Sequence, residues 1–193
     1  RNRLWRYCSV FRATESDTTI VGRNWDNENV GSIIVNLYRP SDGYSSISFS
    51  RAIDMNFPLN VDLQEFTTSD LGKGLLLAPF YSFDGINEHG LAVSVAGVKG
   101  VQIKPKDDSQ LVYVPFLVRK ILDRTKSVDE VLLLVEKLIP FDLDQHSLNT
   151  HFLVVDASGN SVILEYVDGE WKKFFSKNPW QVLTNKPIHS MTN

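Results

Sequence analysis

The chain has 193 residues, of which 42% are hydrophobic and 22% are charged, and its formal net charge is −3. This length and composition are typical of one ordinary globular domain and exclude a disordered or fibrous chain. Because 20 Lys and Arg are balanced by 23 Asp and Glu along the chain, we expect no basic surface for nucleic acid. No apolar run approaches the roughly 20 residues that cross a bilayer.

The first hundred residues alternate short runs of β-branched and aromatic residues with turn residues, which predicts an antiparallel sheet. The predicted strands are Ser9–Arg12, Thr18–Asn24, Gly31–Arg39, Ser45–Ala52, Leu75–Phe83 and Gly90–Val98. Two segments rich in Asp, Gly and Asn are predicted to be hairpin loops, Ser41–Gly43 and Asp84–Gly90.

Helical spacing of apolar residues begins after a polar stretch at residues 100–110. It predicts helices over Val114–Asp123 and Val128–Leu138, the second opened by a capping box at Ser127–Glu130. Strand patterning then returns in the last part of the chain, at Phe152–Val155, Ser161–Tyr166, Trp171–Phe175 and Gln181–Leu183. Strands, then helices, then strands predict an α+β sandwich without an internal domain boundary.

Cys8 lies at the start of the first predicted strand. Because it is the sole cysteine, an internal disulfide is excluded, and cysteine usage does not indicate the cellular compartment of the protein. A lone cysteine is more often a small buried hydrophobe than a nucleophile. Arg23 and Asp26, however, lie in a segment that would pair beside the Cys8 strand in a hairpin. This arrangement of Arg23 and Asp26 beside Cys8 has two interpretations. One is an exposed strand end with a weak ion pair, and the other is a thiol activated by buried charges.

A catalytic cysteine usually passes its proton to a histidine, but none of the four histidines is well placed for that role. His89 falls in a predicted loop, His146 precedes the last strands and His189 lies near the end, so we expect all three to be solvated. His151 begins a strand and is predicted to be a satisfied edge or core residue. An N-terminal cysteine needs no histidine, because its own α-amino group, with a pKa of about 7.7–8.0, is the base.

Five short motifs occur in a fixed order along the chain. They are Cys8, Gly22-Arg23-Asn24-x-Asp26, Asp84-Gly-Ile-Asn87-Glu88-His-Gly90-Leu91, His151-x4-Asp156-x2-Gly159-x5-Glu165 and Leu183-Thr184-Asn185-x-Pro187. Each motif is weak alone, but their ordered sum resembles the choloylglycine hydrolase and penicillin V acylase family of linear-amide C–N hydrolases. Acyltransferases that act on the penicillin nucleus are similar over much the same motifs.

The resemblance implies an N-terminal nucleophile (Ntn) hydrolase, an αββα sandwich of two mostly antiparallel sheets between helical layers. It implies that Cys8 is the nucleophile and, after removal of residues 1–7, also the base through its freed amine. Arg23 and Asp26 would flank the thiol and the amine, and Asn185 would donate to the oxyanion. We therefore expect a leader over residues 1–7 and an Ntn-hydrolase-like domain over residues 8–193, the N-terminal part of a longer chain.

The resemblance implies structural roles for other motif residues. Asn87 and Glu88 would belong to a hairpin, and His151 and Asp156 would mark a strand and the turn that follows it. A second oxyanion donor of the family would align near Gly97, where only a backbone N–H is available. The family's further catalytic arginine would lie past Asn193.

These features predict hydrolysis of a linear amide through a Cys8 thioester, without metal or cofactor. The expected partner is a small-molecule N-acyl amide, such as a bile salt or penicillin V, with no nucleic acid and no membrane span, and the sequence allows a homo-oligomer. Two other functions stay open: an acyltransferase of the acyl-CoA:6-aminopenicillanate type, and a catalytically silent homologue that acts as a binding domain.

Overall fold

The computed structural model describes residues 8–26, 31–58, 70–98, 110–141 and 149–190. Their strands are β1 (Ser9–Glu15), β2 (Thr18–Asn24), β3 (Ile33–Tyr38), β4 (Ser46–Arg51), β5 (Asp84–Asn87), β6 (Ala92–Val98), β7 (Gln110–Tyr113), β8 (Leu138–Phe141), β9 (Asn149–Val155), β10 (Ser161–Val167), β11 (Glu170–Phe175) and β12 (Trp180–Thr184). The helices are α1 (Asp70–Lys73), α2 (Val114–Arg124) and α3 (Val128–Val135), with 3₁₀ turns at Ala52–Met55 and Gly74–Tyr81.

A three-stranded antiparallel sheet carries the start of the described chain, in the order β12-β1-β2. β1 and β2 form the predicted hairpin, with Val10 opposite Arg23, and β12 pairs with the other side of β1, with Ser9 opposite Thr184. Because side chains alternate along a strand, Val10 is fully buried while Phe11 is 43% exposed on the outer side. This pairing brings the end of β12 beside the start of β1.

A seven-stranded antiparallel sheet, in the order β11-β10-β9-β6-β5-β4-β3, forms the centre of the molecule. Its middle strands β6, β9 and β10 are buried on both faces, so both faces must be covered. α2 and α3 pack on one face, through a core that includes Val93, Leu117, Ile121, Val131 and Phe152. The three-stranded sheet packs on the other face, through a core of Val10, Ala96, Leu153, Val155, Ile163 and Leu183.

Both predicted helices are present and begin where the sequence predicts. The Ser127 hydroxyl accepts a hydrogen bond from the Glu130 N–H at 3.2 Å, which caps α3. α3 ends at Val135 rather than at Leu138, because residues from Leu138 onward form β8 and pair in parallel with β7. The α+β prediction is thus confirmed, with two facing antiparallel sheets and a helical layer on the larger one.

The prediction of a strand over Leu75–Phe83 is wrong, because this run forms the 3₁₀ segment Gly74–Tyr81. Pro79 has no N–H to donate to a β-ladder, so it disfavours a central strand there. The loop predicted for Asp84–Gly90 is also too long. Asp84–Asn87 is strand β5, between β4 and β6, and the turn that follows it includes Gly90 with φ +76°.

Candidate active site

Cys8 immediately precedes β1, on the side of that strand that faces the larger sheet. Its free thiol side chain is half-buried and packs against the core between the two sheets. Its backbone N–H donates a hydrogen bond to the side-chain Oδ1 of Asn185. The predicted nucleophile and the predicted oxyanion donor are therefore in direct contact.

Asn185 reaches Cys8 because it follows β12, whose last residue is paired with the first residue of β1. The other side of its amide is also bonded, since Nδ2 donates to the backbone oxygen of Gly97 on β6 at 2.6 Å. One side chain thus connects the start of β1, the end of β12 and the larger sheet.

Arg23 lies on β2 and points toward the larger sheet, on the same side of the small sheet as Val10. Its Nη1 donates to the backbone oxygen of Val95 at 2.5 Å and lies 3.4 Å from Oδ1 of Asp84. Its guanidinium carbon is 5.4 Å from the centre of the Trp25 ring. The predicted arginine is thus held between the two sheets, as expected from the hairpin.

Asp84 is a charged residue near the site whose importance the sequence did not indicate. It is 7% exposed on β5, and its Oδ1 accepts no hydrogen bond among the described residues. Burial raises the pKa of Asp84 to about 6, although Arg23, Ser94 and the backbone of Val95 partly counteract the rise. The group therefore changes charge close to neutral pH.

Asp26 does not lie where the sequence predicts. The resemblance implies that it flanks the thiol or the amine together with Arg23, but its side chain is exposed. Residues three apart on a strand point to opposite faces, so the alternation that turns Arg23 inward would turn Asp26 outward, and β2 itself ends at Asn24. Its catalytic role stays a prediction.

Two strands of the larger sheet hold a buried His–Glu pair beside Asn185. His151 on β9 and Glu165 on β10 are directly opposite each other and are 0% and 1% exposed. His151 Nδ1 lies 2.8 Å from Glu165 Oε1, and His189 Nδ1 lies 2.8 Å from Oε2. The prediction that His151 is a satisfied core residue is confirmed, whereas the solvated state predicted for His189 is wrong, because its ring is bonded to a buried carboxylate.

Burial alone would raise the pKa of Glu165. The hydrogen bonds from His151, from the backbone N–H groups of Ile188 and His189 and from the His189 ring outweigh burial and hold that pKa at about 2. Glu165 is therefore an anion throughout the physiological pH range.

The remaining motif residues have structural roles, as predicted. Asn87 donates from Nδ2 to the backbone oxygens of Leu122 and Thr125, at 3.0 and 2.7 Å, and so binds the C-terminal end of α2. Asp156 accepts from Val128 N–H at 3.2 Å and from the turn that follows β9. His89 is exposed and His146 lies outside the described residues.

A cavity of about 570 Å³ lies between β2 and the β5–β6 part of the larger sheet. Arg23 and Asp84 both line it, whereas Cys8 and Asn185 do not. The cavity is therefore adjacent to the three-stranded sheet but opens beside the Arg23–Asp84 pair rather than at the Cys8 thiol.

Within the described ranges, no three His, Cys, Asp or Glu side chains have a geometry that could hold a metal ion. In the same ranges, no helix is long and apolar enough to span a membrane.

Comparison with known proteins identifies relatives over nearly the whole chain. The model of the family described as linear amide C–N hydrolases, choloylglycine hydrolase family, matches residues 8–193. A penicillin V acylase from Pectobacterium atrosepticum is 34% identical over 113 residues, which cover 54% of this chain and 30% of that protein.

Two solved structures share the fold. The penicillin V acylase from Agrobacterium tumefaciens superposes with a TM-score of 0.62 at 20% identity, over 96% of this chain and 54% of that chain. A mutant of the conjugated bile acid hydrolase from Clostridium perfringens superposes with a TM-score of 0.61 at 17% identity, over 95% of this chain and 56% of that chain. The chain therefore has the Ntn-hydrolase fold of these enzymes and spans about half of their length.

Proposed function

The chain belongs to the choloylglycine hydrolase family of linear amide C–N hydrolases, and on that premise we propose that it hydrolyses a small N-acyl amide through a thioester on Cys8. The observation that supports the proposal best is the hydrogen bond from the Cys8 backbone nitrogen to Asn185. This nitrogen becomes an α-amine once residues 1–7 are removed. The base, the nucleophile and the predicted oxyanion donor then meet at one point.

The α-amine of Cys8 is the proposed base. A neutral amine has two N–H bonds and one lone pair. If one N–H donates to Asn185 Oδ1, as the backbone N–H does here, the amine has a fixed orientation and its lone pair can take the thiol proton.

The thiolate then attacks the amide carbon of the substrate, and a C–S bond forms as the carbonyl oxygen becomes an oxyanion. An amide nitrogen carries two N–H bonds, and Asn185 Nδ2 uses one of them for Gly97. The second donates to the oxyanion, a contribution worth ~10²–10³ in rate for one such donor. The ammonium of Cys8 gives its proton to the leaving amine as the C–N bond breaks, and water hydrolyses the thioester.

Arg23 and Asp26 are assigned to the environment of the nucleophile. The Arg23 guanidinium lies between the two sheets and is fixed by Val95, so its positive charge favours the thiolate. Asp26 follows the same strand and acts from the exposed rim of the site, where its effect on charge is weaker.

Removal of residues 1–7 uses the Cys8 thiol and Asn185, while the Cys8 nitrogen is still part of a peptide bond. The Cys8 thiol attacks the carbonyl carbon of Tyr7, the thiol proton passes to the Cys8 nitrogen as the peptide bond breaks, and water hydrolyses the resulting thioester. The cysteine amine is thereby released, and Asn185 stabilises the oxyanion in this step as in catalysis.

The substrate class is an apolar acyl group joined to a small amine by a linear amide. Relatives named for penicillin V and for conjugated bile acids supply the two acyl types to test first. A steroid or a phenoxyacetyl group needs only an apolar pocket with a few polar anchors.

The test uses protein that begins at Cys8, obtained by removal of an initiator Met. Release of the amine from phenoxyacetyl and steroid-acyl amides is measured for the parent, for Cys8→Ala and for the neighbouring control Ser9→Ala. We expect the parent and Ser9→Ala to hydrolyse at least one of these amides and Cys8→Ala to be inactive. Equal turnover by Cys8→Ala and the parent would exclude the proposed nucleophile.

A further inference from the structure

We propose that the buried pair His151–Glu165 is a positioning device for Asn185, which it holds by the chain on both sides. This inference rests on the proposed function in one respect only, the role given to Asn185. The pair itself touches neither Cys8 nor a substrate, so both members are positioning residues.

On the C-terminal side of Asn185, Glu165 binds the chain directly. Its Oε1 accepts from the Ile188 N–H at 2.7 Å, and its Oε2 accepts from the His189 N–H at 3.1 Å. With the two histidine rings, the carboxylate accepts four hydrogen bonds. The turn after Asn185 is thus fixed to β10 by backbone contacts rather than by packing alone.

On the N-terminal side of Asn185, His151 binds the chain. Its Nε2 lies 2.6 Å from the backbone oxygen of Thr184, the residue directly before Asn185. A backbone oxygen only accepts, so Nε2 must carry a proton. Asn185 therefore lies between two anchored points, and both anchors start from one pair of opposite residues in the larger sheet.

The pair makes directed contacts on both sides of the imidazole ring. Nε2 faces the backbone oxygen of Thr184, and Nδ1 faces the carboxylate of Glu165. Such a pair is costly to bury, and apolar residues of the same size are often at least as stabilising. Orientation of a segment, which apolar residues cannot provide through directed hydrogen bonds, explains why a polar pair occupies this place.

Tight positioning of this kind has a kinetic consequence. A displacement of about 1 Å in a group that contacts the reacting atoms can cost about 10²-fold in rate. Asn185 contacts both the base nitrogen and, in the proposed mechanism, the oxyanion. Loss of the His151–Glu165 anchor should therefore lower kcat while KM changes little.

The first experiment needs no activity, and it uses the full chain with Cys8→Ala in every variant, because without the thiol residues 1–7 are retained and the N–H of position 8 stays a peptide amide. Hydrogen exchange is measured at this N–H, whose acceptor is Asn185, relative to the Val10 N–H in the middle strand of the small sheet. In Glu165→Gln we expect the ratio of the two exchange rates to rise at least about tenfold. An unchanged ratio would overturn the inference.

Asp123→Asn is the matched control. Asp123 is bonded to the buried Arg119 at 2.6 Å on α2, on the opposite face of the larger sheet. Its loss also removes one carboxylate from an ion pair, so we expect lower stability without a change in the ratio of position 8 to Val10. If Glu165→Gln does not fold, His151→Gln, which keeps an N–H donor but loses the ring that reaches both Thr184 and Glu165, is measured in the same way with the same expectation.

The second experiment measures turnover by protein that begins at Cys8. We expect Glu165→Gln to lower kcat about 10- to 100-fold with KM within about threefold, and Asp123→Asn to leave both unchanged. Cys8-dependent turnover at the parent kcat in Glu165→Gln would overturn the inference. Turnover that does not depend on Cys8 would instead overturn the proposed function, while the exchange experiment still decides whether the pair holds Asn185.

Discussion

Glu165 and Asp84 are both buried carboxylates on the seven-stranded sheet, yet their proton affinities are driven in opposite directions. Glu165 accepts four hydrogen bonds, and its pKa is held at about 2. Asp84 has a guanidinium 3.4 Å from an oxygen that accepts no hydrogen bond among the described residues, and its pKa is raised to about 6. At Asp84 one cation and hydrogen bonds from Ser94 and the Val95 backbone therefore do not offset burial, whereas four hydrogen bonds do so at Glu165.

Each carboxylate supports one predicted site residue. Glu165 holds the segment around Asn185 through short hydrogen bonds, whereas Asp84 faces Arg23 across a looser contact beside a cavity. Asn185 is thus fixed by the chain on both sides, whereas Arg23 is held by one short hydrogen bond to Val95 and has a longer contact with Asp84.

Removing Asn185 tests the fixed side of this comparison and has the largest expected effect. In the full chain, Asn185→Ala should accumulate uncleaved leader, because the oxyanion donor for attack on Tyr7 is lost. In protein that begins at Cys8, turnover should fall by ~10²–10³. Intact mass measures the first effect and amine release the second. Normal leader removal together with normal turnover would show that Asn185 serves neither reaction.

Replacing Arg23 tests the other half of this comparison, the longer contact between Arg23 and Asp84. Arg23→Lys keeps the charge but loses the planar guanidinium, whose Nη1 contacts both Val95 and Asp84 and whose central carbon lies over the Trp25 ring, so kcat/KM should fall about 100-fold. Arg12→Lys is the matched control, because Arg12 is a buried arginine on β1 bonded to Ser161, and its loss should lower Tm alone. Equal turnover by Arg23→Lys and the parent would contradict the assignment.

The pH dependence of stability should show opposite slopes for the two carboxylates. Folded Asp84 holds its proton more tightly than the unfolded chain does, so the free energy of unfolding should fall as pH rises from about 4 to about 6, by about 2 kcal/mol. Folded Glu165 releases its proton more readily, so its contribution is present above pH 4.5 and is lost as pH falls toward about 2. Urea unfolding at a series of pH values measures both.

Variants separate the two slopes. Asp84→Asn should flatten the curve between pH 4 and 6, and Glu165→Gln should flatten it below pH 4.5. Burial also raises the pKa of Asp123, so Asp123→Asn should flatten the first slope in part and leave the second unchanged. If Asp84→Asn left the first slope unchanged, the raised pKa would belong to another group.

Asp26 should have the smallest effect among the predicted site residues. Its side chain is exposed, and exposed charges interact weakly through water. We expect Asp26→Asn to lower kcat by no more than about tenfold, with a larger loss at low salt than at high salt. A loss comparable to that of Asn185→Ala would show that Asp26 turns inward in the working enzyme.

The elements that the sequence predicts correctly follow from local patterns. The mistaken predictions concern segments whose structure depends on contacts between distant parts of the chain. The β1–β2 hairpin, α2 and the start of α3 follow from alternation, helical spacing and the Ser127 cap. The run Leu75–Phe83 has strand-like composition, but Pro79 and the strand β5 that follows decide its structure. Asp84 looked like a loop residue because its sequence neighbours are turn formers.

The site was predictable only as a set of residue types. The order of Cys8, Arg23 and Asn185 along the chain indicated the chemistry, and the pairing of β1 with β2 and β12 brings them together. The anchor formed by His151 and Glu165 was not predictable, because it joins β9, β10 and the turn after β12. Those segments are distant in the sequence, and only the tertiary fold sets their hydrogen bonds.

The central claim, that Cys8 is the acyl-bearing nucleophile and its own amine is the base, is tested most directly by mass spectrometry. Protein that begins at Cys8 and full-length protein with its leader retained are mixed with a phenoxyacetyl or steroid-acyl amide, quenched in acid and weighed intact. Because Cys8 is the sole cysteine, a hydroxylamine-labile adduct of one acyl group identifies the thioester. We predict that adduct on the protein that begins at Cys8, and neither adduct nor amine release from uncut full-length protein. Amide hydrolysis by leader-bearing protein at the same rate, while it remains uncut, would contradict the amino-terminal base.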